Sequence, residues 1–158
     1  MFLPVLKCGR FSTFRGQSQD VPKLEIAAQT SAVLESVCLD EERRKLTAEL
    51  SMGMRKKLAI AGSLLGNPKI IFLDEALNGI DLESAFKIKH VLQDLVAGGR
   101  TIILSSHVLE VIEKICDRYL VLKNGEIIAD LEANRFKETD LAGKDMDLEK
   151  YIIQLLET

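Results

Sequence analysis

The sequence predicts an α/β fold with a mostly parallel sheet and flanking helices. Two short apolar runs, residues 70–73 and 101–104, have the composition expected of strands buried on both faces, as in parallel sheets. Between them, residues 82–97 carry the spacing and the end signals of a helix. Alternation of strand and helix along the chain is typical of the α/β class.

The first predicted strand runs directly into two acidic residues, Asp74 and Glu75. Charges at the end of a buried strand are costly unless they face a cavity, a metal or a polar ligand. Ligands of open α/β sheets bind at the carboxyl ends of the strands. Asp74 is therefore predicted to hold Mg²⁺, and Glu75 to polarise a water that attacks phosphorus. The alternative is that Asp74 caps the next turn and Glu75 is solvated.

A second candidate lies upstream, where Ser51 and Gly53 precede a basic, apolar helical run. Ser51 is a good N-cap, and Gly53 allows the backbone to approach a ligand closely. A helix N-terminus beside a serine hydroxyl suits phosphate. The alternative is an ordinary capped helix whose basic residues, 55–57, face water.

Two further polar positions follow the first strand. Residues 78–81 predict a turn, and Asp81 can cap the helix predicted over 82–97. His107 follows the second strand and so lies at the same edge of the predicted sheet as the two carboxylates. His90 lies within the helix and is expected to face solvent.

The flanking segments are predicted to be structural. Residues 22–50 have a helical pattern, in which the charged run 41–45 is interpreted as a solvated helix surface. Asn-Gly at 124–125 between two apolar runs predicts a hairpin. Residues 146–157 predict an amphipathic helix with Leu148, Tyr151, Ile152 and Leu155 on one stripe.

Composition bounds the function. The hydrophobic fraction of 47% and the charged fraction of 28% are near soluble globular averages. A net charge of −3 gives no reason to expect nucleic acid as a partner. The three cysteines form no zinc or disulfide pattern, which fits a reducing cytosol. No apolar run approaches transmembrane length.

Four motifs occur in a fixed order along the chain: Leu-Ser-x-Gly, Ile-Ile-Phe-Leu-Asp-Glu, Asn-Gly-Ile-Asp and Thr-Ile-Ile-Leu-Ser-Ser-His. From about Pro22 onward this order resembles the nucleotide-binding domain of an ABC transporter. The resemblance implies a partial P-loop NTPase fold with part of the helical subdomain, and ATP and Mg²⁺ as cofactors. It also implies a separate transmembrane transporter subunit as a partner, a second ABC ATPase domain in a homo- or heterodimer, and a cytoplasmic location peripheral to the membrane.

The resemblance implies catalytic roles at the carboxyl edge of the sheet. Asp74 would be the Walker B aspartate that helps to bind Mg²⁺, and Glu75 would be the general base. His107 would be the switch histidine that senses the γ-phosphate.

The resemblance implies that three other residues act across a dimer. Ser51 and Gly53 would belong to the signature motif, which contacts the γ-phosphate of ATP held by the opposing domain. Asp81 would belong to the D-loop, residues 78–81, which crosses the dimer interface.

The sequence departs from the family pattern in its phosphate loop. No Gly-x-x-x-x-Gly-Lys-[Ser/Thr] sequence occurs, so this chain alone is expected to hydrolyse ATP weakly or not at all. The strand that carries this loop normally lies in the same sheet, and its absence would leave apolar residues and strand edges uncovered. The signature also reads Leu-Ser-Met-Gly-Met, and Ala76 stands where the family usually has proline.

These features predict a division of the chain. Residues 1–21 are expected to be a disordered leader without family resemblance, and residues 22–158 the C-terminal part of an ABC ATPase domain. Within it, 22–66 would form the helical subdomain and signature helix, 67–130 the Walker B, D-loop, switch-histidine core and hairpin, and 131–158 a helical tail.

Three other interpretations remain open. The chain could be a non-catalytic partner that lends its signature motif to a complete ATPase chain, or a non-functional remnant. A split ATPase of the chromosome-maintenance type is disfavoured, because residues 22–50 are too short for its coiled coil and lack sustained heptads.

Overall fold

A computed structural model describes residues 23–136 and 147–157. These residues form two compact units that divide between His107 and Val108. The described part of the first unit contains the helices α1 (Lys23–Ser36), α2 (Met52–Leu64) and α3 (Leu82–Ala97) and the strands β1 (Ile70–Asp74) and β2 (Thr101–Ser105). The predicted α/β class with parallel pairing is confirmed.

The two strands of the first unit pair in parallel and in simple register. Ile70 lies opposite Thr101, and Asp74 lies opposite Ser105. Both strands therefore end at the same edge, which we call the carboxyl edge. The predicted connecting helix is also confirmed: α3 ends where the Gly98 N–H donates to the Asp94 carbonyl at 2.9 Å.

Only one face of β1 is buried. Ile71 and Leu73 are buried, whereas Ile70 and Phe72 are exposed. The prediction of a strand buried on both faces is therefore wrong for the described residues. Successive side chains of a strand point to opposite faces, and the described part of the unit covers only one of them.

The segment before α2 is less helical than the sequence predicts. After α1 the chain forms two short 3₁₀ turns, Asp40–Glu42 and Thr47–Glu49, instead of a continuous helix. Cys38 has a φ of 57°, in the left-handed region, which ends regular helix. The charged run 41–45 therefore lies in turns, so its interpretation as a helix surface is wrong. The first unit buries these apolar side chains of its early segments: Ile26, Leu34, Val37, Leu39, Leu50, Leu58 and Ile60.

The described part of the second unit is a hairpin with two helices. It contains α4 (Leu109–Ile115), β3 (Arg118–Lys123), β4 (Glu126–Glu132), a 3₁₀ turn (Ala133–Phe136) and α5 (Leu148–Glu157). The predicted hairpin is confirmed, because β3 and β4 are antiparallel and both turn residues, Asn124 and Gly125, have positive φ.

The second unit has a small core of its own. The buried residues Tyr119, Val121, Leu131, Ala133 and Leu148 form it, and Phe136, Tyr151 and Ile152 pack against it. The apolar stripe predicted for the last helix is confirmed at these α5 positions, while Met146 lies outside the described residues. None of the helices in the described ranges is long and apolar enough to cross a membrane.

Candidate active site

Ser105 links the two strand ends at the carboxyl edge. Its hydroxyl donates to Asp74 Oδ1. The Glu75 N–H donates to both the carbonyl and the hydroxyl oxygen of Ser105, each at 3.1 Å. This pattern follows from the register, which places Asp74 opposite Ser105. The Asp74 carboxylate and the Glu75 backbone are therefore held by the neighbouring strand.

Glu75 is held in an unusual backbone conformation with both carboxylate oxygens engaged. Its φ is 47°, in the left-handed region that is uncommon for residues other than glycine. The Asn78 amide donates to Oε2, and His107 Nδ1 lies 2.8 Å from Oε1. Because an ionised carboxylate can only accept, the ring nitrogen is the donor. The structure thus brings together Glu75 and His107, which the sequence placed at two strand ends.

Lys56, on α2, clamps the turn that begins at Glu75. Its ammonium donates to the carbonyl of Glu75 at 3.1 Å and to that of Asn78 at 2.7 Å. The donor of both hydrogen bonds is a charged ammonium group, which makes these bonds stronger than those between neutral groups. The alternative in which the basic residues 55–57 all face water is therefore wrong for Lys56, and also for the buried Lys57.

Gly53 provides a second contact between α2 and this turn. A Cβ at Gly53 would lie 2.8 Å from the carbonyl oxygen of Gly79, closer than real Cβ atoms come. Gly53 and Lys56 are three positions apart and so lie on one face of the helix. The glycine is required by packing inside the chain, whether or not it also approaches a ligand.

Asp81 caps α3 and contacts the buried lysine of α2. It accepts from the Ser84 N–H at 2.9 Å, and Lys57 Nζ lies 3.5 Å from its Oδ2 and 2.9 Å from Ser84 Oγ. Hydrogen bonds from the Ser84 N–H and hydroxyl, with the Lys57 charge, lower the pKa of Asp81 to about 2. The predicted N-cap is confirmed, and its role in cofactor binding stays a prediction.

Ser51 begins α2 as predicted. Its hydroxyl accepts from the Met54 N–H at 3.2 Å. Ser51 is exposed, and the next side chain, Met52, is 70% exposed. The start of the helix is therefore open to solvent in this chain, and its predicted contact with a nucleotide stays a prediction.

Asp74 is the candidate for Mg²⁺. Among residues 23–136 and 147–157, no group of three or more His, Cys, Asp or Glu side chains could hold a metal ion. Mg²⁺ is usually bound by one or two carboxylates together with phosphate oxygens and water. Asp74 is exposed and accepts from Ser105 through Oδ1, so Oδ2 remains available, and this residue suits such a site.

Sequence reasoning did not find three residues of the site: Lys56, Asn78 and Ser105. Ser105 could have been found, because residues that end two parallel neighbouring strands lie side by side. The family resemblance assigns Asn78 to the D-loop, and its hydrogen bond to Glu75 was not predicted. For Lys56 the sequence carries no signal, since a basic residue near the start of a helix is usually solvated.

The fold and the site define an α/β domain whose polar groups meet at the carboxyl ends of parallel strands, where such domains bind ligands. The family model for ABC transporters matches residues 7–78. The Nod factor export ATP-binding protein I of Rhizobium leguminosarum bv. viciae is 37% identical over 106 residues, which are 67% of this chain and 34% of that protein. A fluoroquinolones export ATP-binding protein of Mycobacterium tuberculosis is 37% identical over 102 residues, 65% of this chain and 34% of that protein.

Solved structures share the fold. The structure of an ATP binding subunit of an ABC transporter matches with a TM-score of 0.84 and 21% identity, over 98% of this chain and 64% of that one. A dimeric ATP-binding cassette in a post-hydrolysis state, bound to ADP and Pi, matches with a TM-score of 0.74 and 21% identity, over 83% of this chain and 58% of that one.

The chain matches the ABC transporter family model over residues 7–78 and ABC-type export ATP-binding proteins at 37% identity, as the motif order predicts. It spans about a third of the length of the curated relatives described above. The family match begins at residue 7, within the segment 1–21 that is predicted to be a leader. The predicted domain boundaries stay predictions.

Replacing Lys56 with methionine is expected to loosen the turn at Glu75. Loss of the two charge-assisted hydrogen bonds should lower the free energy of unfolding by about 1–3 kcal/mol. Hydrogen exchange of the Asn78 amide should accelerate more than that of the β1 amides, because the clamp acts on the turn. Lys87→Met removes an exposed lysine paired with Glu83 and is the control. Equal acceleration at every amide would contradict a local clamp.

The lowered pKa of Asp81 predicts a pH-dependent contribution to stability. An aspartate whose pKa is lower in the folded than in the unfolded chain stabilises the fold above its ordinary pKa, and this contribution is lost as the pH falls toward 2. Asp81→Asn should therefore reduce stability at pH 7, and its deficit should shrink between about pH 4 and pH 2. Urea unfolding of both proteins across this range measures the difference, and a deficit independent of pH would contradict it.

Proposed function

We propose that this chain is part of the ATP-binding subunit of an ABC exporter, coupling ATP binding and hydrolysis to transport through a separate membrane chain. The proposal assigns it a cytoplasmic position at the membrane, held there by a transmembrane transporter subunit. It includes a second ABC ATPase domain, identical or related, as a dimer partner. The names of the relatives, which are export ATP-binding proteins, support the exporter assignment.

The proposal rests on the hydrogen bonds that hold Glu75 in place at the carboxyl edge. Asn78 and His107 hold its two carboxylate oxygens, and Ser105 and Lys56 hold its backbone. A general base must be held within hydrogen-bond reach of the proton it removes. In the proposed reaction, Glu75 accepts a proton from the water that attacks the γ-phosphorus.

The neighbouring groups take supporting roles in the proposed reaction. Mg²⁺ held by Asp74 would neutralise charge on the phosphate oxygens. His107 donates to Glu75 through Nδ1. As an imidazolium, which donates through both ring nitrogens, it would also donate to the γ-phosphate through Nε2. Ser51 and Gly53 contact the nucleotide of the opposing domain, and Asp81 lies where the two domains meet.

Purified chain is expected to release phosphate from ATP poorly or not at all. The 158-residue sequence has no phosphate loop, so nothing in it supplies the glycine-rich backbone and lysine that hold the triphosphate. Steady-state phosphate release with ATP and Mg²⁺ tests this.

Two variants make that measurement decisive. Glu75→Gln removes the proposed base, while Glu83→Gln changes an exposed carboxylate at the start of α3 and serves as the control. Robust phosphate release that Glu75→Gln abolishes and Glu83→Gln preserves would contradict the expected inactivity and support the role of Glu75.

A second candidate function is a non-catalytic partner that lends its signature motif to a complete ATPase chain. The exposed start of α2, with Ser51 and Met52 open to solvent, favours it. Ser51→Arg should then reduce the ATPase activity of the complex with a complete ABC ATPase domain by at least about tenfold, because the bulky side chain blocks the helix N-terminus. Lys87→Met is the surface control, and unchanged activity in Ser51→Arg would exclude this function.

A further inference from the structure

Residues 75–78 form a turn whose own closing hydrogen bond is weak. The Asn78 N–H donates to the Glu75 carbonyl at 3.4 Å, which is longer than the usual distance of about 2.9–3.0 Å. The first residue of the turn, Glu75, also has a left-handed backbone, which is costly for any residue other than glycine. A turn with a weak closing bond and a strained first residue needs support from outside the turn.

Lys56 supplies that support at both ends of the turn. Its ammonium donates to the carbonyl of Glu75 at 3.1 Å and to the carbonyl of Asn78 at 2.7 Å. Both bonds are shorter than the bond that closes the turn, and the charge of the donor strengthens them. Lys56 therefore fixes the first and the last residue of the turn relative to each other.

The last residue of the turn also orients the Glu75 side chain. The Asn78 amide donates to Glu75 Oε2. Because the backbone of Asn78 is held by the 2.7 Å bond from Lys56, the position from which this amide reaches the carboxylate depends on the lysine. Lys56 bonds to backbone oxygens, so it acts on the carboxylate through Asn78 and through the backbone of Glu75.

The other contacts of Glu75 do not replace this support. His107 Nδ1 lies 2.8 Å from Oε1, but the His107 side chain is 76% exposed and that of Glu75 is 40% exposed. Exposed contacts of this kind contribute little, because water competes for both groups. Ser105 accepts from the backbone N–H of Glu75 and so does not direct its side chain. The contact from Asn78 is the one that Lys56 keeps in place.

Leu77 keeps the turn attached to the fold independently of the lysine. Its side chain is only 8% exposed, and burial of an apolar side chain stabilises the packed position of the turn. Such burial is not directional, so it leaves the rotation of the carbonyl groups at positions 75 and 78 undetermined. Loss of Lys56 is therefore expected to leave the chain folded and to change the direction of the Glu75 carboxylate.

We propose that Lys56 is a positioning residue for Glu75. By holding the carbonyls at both ends of the turn, it places the Asn78 amide on Oε2 and keeps Oε1 within reach of His107, so that the carboxylate is aimed along the carboxyl edge. The inference rests on the proposed function, in which Glu75 accepts a proton from the attacking water, and it adds the residue that aims this base.

Nuclear magnetic resonance of the full ¹⁵N-labelled chain, without nucleotide, tests the positioning role. Glu75→Ala first gives the positions of the Asn78 side-chain amide signals and of the His107 Nδ1 signal when the carboxylate is absent. Lys56→Met, which removes the donor at similar length, should move both sets of signals most of the way to those positions. Lys56→Arg, which keeps a charged donor, should keep them at the wild-type positions.

Controls separate positioning from a contribution to stability alone. A lysine that only stabilised the chain would lower the urea midpoint and leave the signals of the folded protein unchanged. Lys87→Met, an exposed lysine paired with Glu83, should leave the signals in place. Circular dichroism must show that Lys56→Met is folded, and Lys56→Gln, which loses the charge, replaces it if it is not.

Three results would overturn the proposal. The first is that the Asn78 and His107 signals of the folded Lys56 variant stay at their wild-type positions. The second is that Lys87→Met displaces them as far as Lys56→Met does. The third is that Lys56→Arg displaces them equally far, because the charged donor would then not be what holds the turn.

Failure of this inference is distinguishable from failure of the proposed function. The resonance measurement reports where the carboxylate points, whereas phosphate release reports whether it acts as a base. Phosphate release that Glu75→Gln leaves unchanged would contradict the role of Glu75 as the base, and displaced signals in Lys56→Met would still support the positioning role. Unchanged signals, together with phosphate release that Glu75→Gln abolishes, would overturn the positioning role and support the proposed function.

Discussion

The left-handed backbone of Glu75 is the constraint on which the rest of the site depends. Such a conformation costs of order 1–3 kcal/mol for a residue other than glycine, and it persists only when the surroundings hold it. Here Ser105 accepts from its N–H, Lys56 donates to its carbonyl, and Asn78 and His107 hold its carboxylate. The turn redirects the chain from β1 and aims the carboxylate along the carboxyl edge.

The same turn couples two functional segments that are distant in sequence. Gly53 and Lys56 lie on one face of α2 and contact Gly79, Asn78 and Glu75, so the start of α2 is attached to the candidate general base. The next residue of α2, Lys57, contacts Asp81 and Ser84 at the start of α3. A ligand that binds at Ser51 therefore acts on a helix that packs directly against the turn of Glu75.

The two faces of β1 differ in burial. The inward side chains Ile71 and Leu73 are buried, while Phe72 on the same strand faces outward and is exposed. The sequence pattern is that of a strand covered on both sides, and the described chain covers one. The ordered site at the carboxyl edge and the exposed face of Phe72 are thus two properties of the same strands.

The sequence by itself determined the elements and the candidate residues. Four-residue apolar runs, N-caps at Ser51 and Asp81 and the Asn-Gly turn are local signals, and local hydrogen bonding and side-chain periodicity are enough to produce them. The acidic pair and His107 could be assigned to one edge because parallel strands end together. The motif order also predicted the family that the family model and the relatives match.

Only the tertiary structure decided how these residues are held and which surfaces are covered. Lys56 and Ser105 contact Glu75 although they lie 19 and 30 residues away in sequence. Neither contact can be predicted from the periodic pattern of apolar residues. The same is true of one-sided burial, because an apolar run records what a strand can bury but not which neighbours are present to bury it. Turns such as 37–45 also escaped prediction, because the left-handed residue that ends α1 is Cys38 and not the glycine or asparagine that usually marks such an end in a sequence.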